Sequence, residues 1–394
     1  MTVAEALGAL APARRSAVVG VAPALGTVPA EDVAAAALLP AHARATVDGY
    51  AVRAADTYAA SETLPAFLEV TGAVAMGRAP DGEVGPGAAM TIPTGGLLPH
   101  GADAVVMVEH TTEPMPGHVE LLRGVAPGDG VLQPGEEARA GDLLVRAGRP
   151  LRAAELGLLA AAGVTEIAAH APPRVGIVST GDEIVAPMAE PAPGQVRDAC
   201  APALAGLVTE AGGEPVPRGI VPDDADALER VLGAALAEDD MVVVSAGSSV
   251  GARDLTATVV ARLGRVVCHG LAVRPGKPTL LADCGGVPLV GLPGNPRSAL
   301  VVFRLVGMPL VRTVAGVTAP AADPRLRARL GRDVASAAGR LDVVQAALCD
   351  GVATPLFGSS ALLGPMTRAD GWFCVPEADT GLGAGTEVEV MLYG

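Results

Sequence analysis

Aromatic side chains are scarce: Trp372, three tyrosines and four phenylalanines make up 2% of the 394 residues. A surface that stacks nucleic-acid bases needs aromatic platforms, so that class of partner is excluded. The core must instead be built from Ala, Val and Leu. Positive charge is also in deficit, with 28 basic against 43 acidic residues and a net charge of −15. That excludes a global polyanion-binding field but leaves room for a local anion pocket. The five cysteines (Cys200, Cys268, Cys284, Cys349 and Cys374) are odd in number, widely spaced and without a CxxC pair. Neither a disulfide framework nor a zinc site is indicated. The six histidines are scattered, and none reads as a ligand. The apolar stretch Ser16–Ala30 falls short of the roughly 20 residues of a membrane span and contains Gly and Pro. The expectation is a cytoplasmic protein with no membrane partner. Lysine is all but missing. Of the 28 basic residues 27 are arginine, and the exception is Lys277.

Half of the residues are hydrophobic, enough for large cores and incompatible with intrinsic disorder. At roughly 150 residues per domain, the length predicts two to four domains. Residues 1–40 read as a helix (Val3–Ala11), a short extended piece (Ala17–Val21) and a second helical pattern. From Ala41 to about Gly130, short β-like runs divided by Gly/Pro turns predict an antiparallel β-module. From Pro172 apolar strands (Arg174–Ser179, Pro215–Val221, Met241–Ser245, Val287–Leu292) alternate with helices, which predicts a parallel sheet covered on both faces. After Pro320 the chain returns to short strands, reading as a small β-barrel or open sheet.

In an open α/β sheet, ligands sit at the carboxyl ends of strands. After Ser179 comes Thr180-Gly181-Asp182-Glu183. After Ser245 comes a Gly247–Gly251 turn leading to a helix with Asp254 in its first turn. After Leu292 comes Pro293-Gly294-Asn295-Pro296. Gly-rich turns feeding helix N-termini favour anions, although each alone is often only a tight turn. Lys277 stands in Arg274-Pro275-Gly276-Lys277-Pro278, a rigid turn presenting two cations. Arg suits bidentate oxyanion contacts, and Lys is a compact point charge. A Walker A reading of this turn fails, because Gly270 and Gly276 are one residue too far apart and Pro278 replaces the Ser/Thr. Gly247–Gly251 also fits the GxSxG nucleophile elbow around Ser249. Only His269 follows Ser249, and Asp254 lies too near it, so no triad can be assembled. Carboxylates at Asp48, Glu183, Asp223, Asp224 and Asp254 all lie in turns or at helix starts, where helix capping competes with metal binding.

These stretches, read together, resemble the MoeA/gephyrin E-domain family of molybdopterin molybdenumtransferases. The resemblance rests on Val47-Asp48-Gly49-Tyr50-Ala51-Val52, Pro93-Thr94-Gly95, Gly101–Val106, Ser179–Glu183, Ser249-Val250-Gly251 with Asp254, Pro275–Pro278, Leu292–Pro296, Gly358-Ser359-Ser360 and Ala369-Asp370-Gly371. It covers essentially the whole chain, in order. It implies an elongated multi-domain α/β plus β subunit: a doubly wound parallel α/β domain (173–315), an inserted antiparallel β-module (41–130), a discontinuous scaffold (1–40 and 131–172) and a C-terminal β-barrel-like domain (316–394). It further implies a homodimer with the active site shared between subunits. The reaction it implies inserts molybdate into adenylylated molybdopterin with Mg2+-assisted release of AMP.

Carried onto this chain, the resemblance assigns Gly247, Ser249, Gly251, Gly294, Asn295 and Pro296 to the pterin phosphate, beside Thr180 and Gly181. Arg274, Pro275, Gly276 and Lys277, with Ser359 and Ser360, would hold oxyanions, molybdate among them. Glu183, Asp223 and Asp254 would hold Mg2+, and Asp48 and Thr94 would enter from the partner subunit. The chain departs from the family pattern at Ala246-Gly247-Ser248, Asp198-Ala199-Cys200, Glu137 and Arg274. At Leu132, Gly270 and Gln345 it lacks three of the family's cations. Those losses support an alternative, a diverged paralogue that binds a molybdopterin-like ligand or serves as a scaffold without efficient transfer.

Overall fold

The computed structural model describes residues 1–245, 250–318 and 323–393, and of residues 250–254 the backbone alone. The chain divides into two compact units, Asp32–Arg146 with Ala153–Thr165, and Met1–Glu31 with Ala147–Arg152 and Glu166–Gly394.

In the first of these, six strands run in the order Ala104–Met107, Gly49–Val52, Ala88–Ile92, Ala66–Ala73, His118–Leu121, Thr111–Met115. All neighbours are antiparallel except Ala66–Ala73 and Ala88–Ile92, which pair parallel. Side chains alternate across the sheet with the period of two. Tyr50 and Val52 enter a cluster with Leu68, Val106 and Leu121. Ala51 faces the other way, toward Met90, Ile92 and Val105. Gly49 is obligatory here, because a Cβ would stand 1.9 Å from the Val106 carbonyl oxygen.

The second helical pattern expected before residue 40 is not a helix. Val33–Ala34 pairs antiparallel with Leu143–Val145. Beyond it the Ala35 N–H donates to the Asp142 carbonyl and the Leu39 N–H to that of Ala138, both at 2.8 Å. Tertiary pairing claims the backbone of an alanine-rich stretch whose intrinsic preference is helical.

The larger unit holds a six-stranded sheet in the order Glu214–Val221, Arg174–Thr180, Met241–Ser245, Val287–Leu292, Leu280–Cys284, Arg265–His269. The first four strands are parallel, as the continuous apolar runs predict, and the last two are antiparallel additions at one edge. Every residue of Met241–Ser245 is buried. Its side chains serve two cores in alternation. Met241 and Val243 pack with Leu204 and Val208 of helix Cys200–Glu210. Val242 and Val244 pack with Leu228 and Leu232 of helix Ala225–Glu238. That is a doubly wound sheet.

The C-terminal strands close into a barrel. Leu341–Cys349 pairs with Val352–Leu356 on one side and Gly371–Val375 on the other, and Glu387–Leu392 and Arg325–Leu330 complete the ring. Phe373 fills its centre with Val344, Ala346 and Val390. The short strand Val273–Arg274 adds alongside Leu341–Asp342. The turn bearing Lys277 is thereby tied to the barrel.

Replacing Gly49 by Ala should destabilise the protein by on the order of 2 kcal/mol or more, since a strand pair must open to admit one methyl group. A lowered midpoint in thermal unfolding is the expected result; an unchanged midpoint would show that the pair yields without strain.

Candidate functional site

A cavity of about 540 Å³ opens between the Val273–Pro278 segment, the Pro293–Ser298 turn and the barrel. Arg274, Lys277, Arg297, Arg340 and Asp342 are the charged groups lining it, four cations to one carboxylate. The Lys277 turn is held by its own backbone: the Lys277 carbonyl accepts from the N–H groups of Leu271 and Thr279, both at 2.9 Å. The Thr279 hydroxyl donates to the Gly276 carbonyl at 2.7 Å. Gly276 has φ +125°, and a Cβ there would stand 2.3 Å from Val302 Cγ2, so the turn lies flush on the helix beneath it. Among the described residues Arg274 pairs with Asp342 at 3.4 Å, whereas Lys277 is exposed and has no ion pair.

The Pro293–Pro296 turn separates this cavity from a second, of about 360 Å³, at the carboxyl ends of the parallel strands. Asn295 lines both. Its side-chain amide donates to Ser360 Oγ at 2.8 Å, so the turn after Val287–Leu292 is tied to the loop after Val352–Leu356. Thr180, Glu183, Gly294 and Pro296 line the second cavity. Gly181, at φ +144°, lets Glu183 fold back: a Cβ would meet Glu183 Oε2 at 2.6 Å. Beneath lies a chain of buried polar groups in which Ser245 Oγ donates to Ser179 Oγ and Ser179 Oγ donates to Asp198. The other Asp198 oxygen accepts from the N–H groups of Cys200 and Ala201 at the start of their helix.

Asp223 stands just outside this cavity. Its Oδ1 accepts from the Thr180 hydroxyl at 3.2 Å, and its N–H donates to Asp182. The cap of helix Ala225–Glu238 is Asp224, which accepts from the Ala227 N–H at 2.7 Å. Asp223 therefore has no capping task.

Asp48 and Thr94 belong to the other unit. Asp48 Oδ1 accepts from the Thr94 backbone N–H at 2.6 Å and from its hydroxyl at 2.9 Å. Those two donors, the backbone one first, hold the Asp48 carboxyl below its usual range. With Gly49, Tyr50, Thr91 and Pro93 it borders a hollow of about 350 Å³.

The structure thus gathers Arg274, Pro275, Gly276, Lys277, Asn295 and Ser360 around one cavity, and Thr180, Glu183, Gly294, Asn295 and Pro296 around its neighbour. Ser359 does not line either cavity, and its Oγ accepts from the Ala361 N–H. Gly247 and Ser249, with the side chain of Asp254 and the setting of Gly251, lie outside the described residues. Gln345, one of the three positions lacking a cation, is fully buried away from both cavities, beside Trp372 and Tyr393. Sequence reasoning missed Arg297, Arg340 and Asp342. One further signal was available: Asn295 is the only asparagine in the chain, as Lys277 is its only lysine, and both line the same cavity.

Comparison with known proteins bears directly on this arrangement. Residues 1–163 match the model "MoeA N-terminal region (domain I and II)", residues 176–313 the "Probable molybdopterin binding domain", and residues 327–393 the "MoeA C-terminal region (domain IV)". Molybdopterin molybdenumtransferase 2 of Mycobacterium tuberculosis is 32% identical over 376 residues, covering 93% of this chain and 92% of the relative. The chain belongs to the molybdopterin molybdenumtransferase family.

The Nostoc molybdopterin molybdenumtransferase is 38% identical over 275 residues, 69% of this chain and 63% of that protein. The crystal structure of a molybdopterin biosynthesis MoeA protein from Pyrococcus horikoshii superposes with a TM-score of 0.84 at 36% identity, covering 100% of this chain and 98% of that one. Membership of the molybdenumtransferase family makes the chain a transferase of molybdenum cofactor biosynthesis. Among the described residues no helix is long and apolar enough to cross a membrane.

The Asp48–Thr94 contact is directly testable. Thr94→Ala removes the hydroxyl and leaves the backbone donor, so the Asp48 pKa should rise part of the way to its ordinary value. Carboxyl-detected NMR titration measures this. Because the folded pKa is depressed, the contact contributes stability above the ordinary carboxylate range and loses it as pH falls through the depressed value. An unmoved pKa would assign the effect to the backbone alone.

Proposed function

We propose that this chain inserts molybdenum from molybdate into adenylylated molybdopterin and releases AMP, giving molybdenum cofactor. The observation that carries this reading is the pair of cavities meeting at Asn295: one has four cations to a single carboxylate, and the other is flanked by the Glu183 and Asp223 carboxylates. Both molybdate and a phosphoanhydride are anions: the first would be met by the cations directly, and the second by Arg197 and by a metal ion held on the carboxylates.

In this reading Arg274 and Lys277 hold molybdate, with Ser360 supplying a hydroxyl donor; Ser359, expected beside it, lines neither cavity and is left out of the set. A guanidinium offers a planar fork and an ammonium a point charge, a combination suited to a small tetrahedral oxyanion. The turns Gly294–Pro296 and Gly247–Gly251 cradle the pterin phosphate with backbone N–H groups, assisted by Thr180 and Gly181. The Asp198 carboxylate fixes the strand ends beneath, through Ser179 and the N–H groups of Cys200 and Ala201. Asp48 and Thr94 contribute from the partner subunit of a homodimer. The division into scaffold, inserted β-domain, α/β domain and barrel is proposed with the same boundaries as above.

The donors on the Thr180–Glu183 turn fit Mg2+, since Glu183, Asp223 and the Thr180 hydroxyl offer hard oxygen ligands. Among the described residues no cluster of three or more His, Cys, Asp or Glu forms a self-sufficient cage. Glu183, Asp223 and Asp254 would hold Mg2+, and it would offset the charge that develops as the phosphoanhydride breaks. Arg274 and Lys277 act in the same direction, preorganised where negative charge accumulates.

The second reading, a paralogue without efficient transfer, rests on the cations absent at Leu132, Gly270 and Gln345. Against it, Gln345 lies away from both cavities, and four cations remain in the larger one.

Purified protein incubated with adenylylated molybdopterin, Mg2+ and molybdate should release AMP. Absence of AMP release at saturating molybdate, with the pterin still bound, would favour the paralogue. Lys277→Ala should weaken molybdate binding about tenfold or more, equivalent to about 1.4 kcal/mol; an unchanged dissociation constant would reject its role. Asp254→Ala should abolish AMP release while leaving the thermal midpoint in place.

A further inference from the structure

Arg297 stands at the second position of helix Pro296–Val302, directly after the Asn295 turn. It is 8% exposed, the one arginine among the buried side chains of the described residues. Taking a guanidinium out of water is strongly unfavourable unless a carboxylate or a full set of hydrogen bonds compensates. Here neither is present among the described residues. Nη1 donates to the Gly358 carbonyl at 2.8 Å, Nε is buried with no partner, and no carboxylate lies within ion-pair distance. Proteins seldom bury an unpaired charge in their resting state without a use for it.

Asp342 is the obvious candidate to neutralise it, and it is already engaged. Its carboxylate is 7% exposed, pairs with Arg274 at 3.4 Å and accepts from the Ser336 hydroxyl at 2.9 Å. Tyr393 is no substitute, because burial pushes its phenol up to about 12 and its hydroxyl donates to Gln345 instead. Arg297 therefore lines the larger cavity as a desolvated cation with no ion pair of its own, reached by the Asp342 charge only beyond ion-pair distance. Arginine keeps its charge even where burial lowers its pKa.

We infer that Arg297 is an oxyanion-binding residue of this cavity, whose buried charge is neutralised by the bound tetrahedral dianion itself. This deepens the function proposed above and rests on it: the ligand is molybdate, and the residue is additional to Arg274 and Lys277. The three cations divide the work. Lys277 is exposed and its charge is screened by water, and Arg274 is shared with Asp342. Arg297 is the cation whose field is least attenuated, because it acts from a low-dielectric wall. Its hydrogen bond to Gly358 also holds the loop that carries Ser360, so hydroxyl donor and buried charge are set against each other in advance.

Two behaviours follow that a merely structural arginine would not show. Removing a surplus buried charge leaves the ligand-free protein no less stable, whereas removing a structural arginine lowers its melting temperature. It also abolishes the extra stability that molybdate confers by binding the folded state.

The test compares wild type, Arg297→Gln, Arg297→Lys and Lys277→Ala by calorimetric titration with sodium molybdate and by melting with and without it. Arg297→Gln is expected to melt at or above wild type without molybdate, to bind it at least about tenfold more weakly, and to lose most of the molybdate-induced rise. Arg297→Lys should recover much of the affinity. Wild-type affinity in Arg297→Gln together with weakened Lys277→Ala would overturn this inference and leave the proposed function standing. No saturable molybdate binding by wild type would overturn both. If Arg297→Gln melts below wild type, Arg297→Lys decides: recovered affinity supports the buried charge, and affinity as poor as that of Gln at a wild-type melting temperature overturns it.

Discussion

The site depends on one short contact, the hydrogen bond from the Asn295 amide to Ser360 Oγ at 2.8 Å. Asn295 ends the turn after a central parallel strand, and Ser360 lies in a loop after a barrel strand. They are 65 residues apart in sequence, and the α/β core reaches the barrel through Val343. Two backbone-directed bonds run parallel to it, from the Arg297 N–H to the Ser360 carbonyl and from Arg297 Nη1 to the Gly358 carbonyl. Together they fix the wall between the two cavities. An asparagine suits this position because its amide can donate to one side of the wall while its backbone opens a helix on the other. The Asn295 side chain makes no cap bond to that helix, because its amide is committed to Ser360.

From that wall outward, the cavities differ by the chemistry of their rims. On the barrel side the Val273–Arg274 strand delivers Arg274 and Lys277 on a turn pinned by backbone bonds to Leu271 and Thr279. Those bonds hold the turn without using either side chain. On the strand-end side Gly181 bends so sharply that Glu183 folds over it. The rim bearing Arg274 and Lys277 and the rim bearing Glu183 are thus built from rigid backbone on opposite sides of one turn, with Arg197 also lining the second cavity. Preorganisation of this kind spares reorganisation when charge moves during reaction.

Legibility in the sequence followed the strength of the local pattern. Three of the four parallel strands were readable because both faces are buried, which leaves continuous apolar runs such as Met241–Ser245, while the edge strand Glu214–Val221 is largely exposed. The antiparallel additions Leu280–Cys284 and Arg265–His269 were not, since Asp283 in the first and Arg265 and His269 in the second break the apolar run. The alanine-rich segment before residue 40 misled for a related reason: its propensity is helical, and only distant carbonyls at Asp142 and Ala138 override it. Lys277 stood out because its type occurs once. Arg297 was hidden among 27 arginines, and nothing in its spacing distinguishes a buried cation from a solvated one. Asp223 and Asp224 are adjacent carboxylates before one helix, and only the backbone geometry tells which of them caps it.

The charge of the whole molecule sharpens the role of the cavity. At a net −15 the distant field opposes a dianion. Screening confines that field to roughly 8 Å at physiological ionic strength, so an approaching oxyanion meets little of it until it is close. What it then meets is four cations against one carboxylate, in a recess partly closed to water. The acidic exterior contributes solubility and no attraction. Capture therefore depends on short-range contacts, and discrimination on how fully an oxyanion satisfies donors already in position. A lysine at the position of Arg297 would supply the same formal charge, and so much of the proposed affinity, while giving up the fixed fork that bonds to Gly358. Under the proposed function, anion recognition would reside in geometry set by a few backbone bonds, with bulk electrostatics working against it.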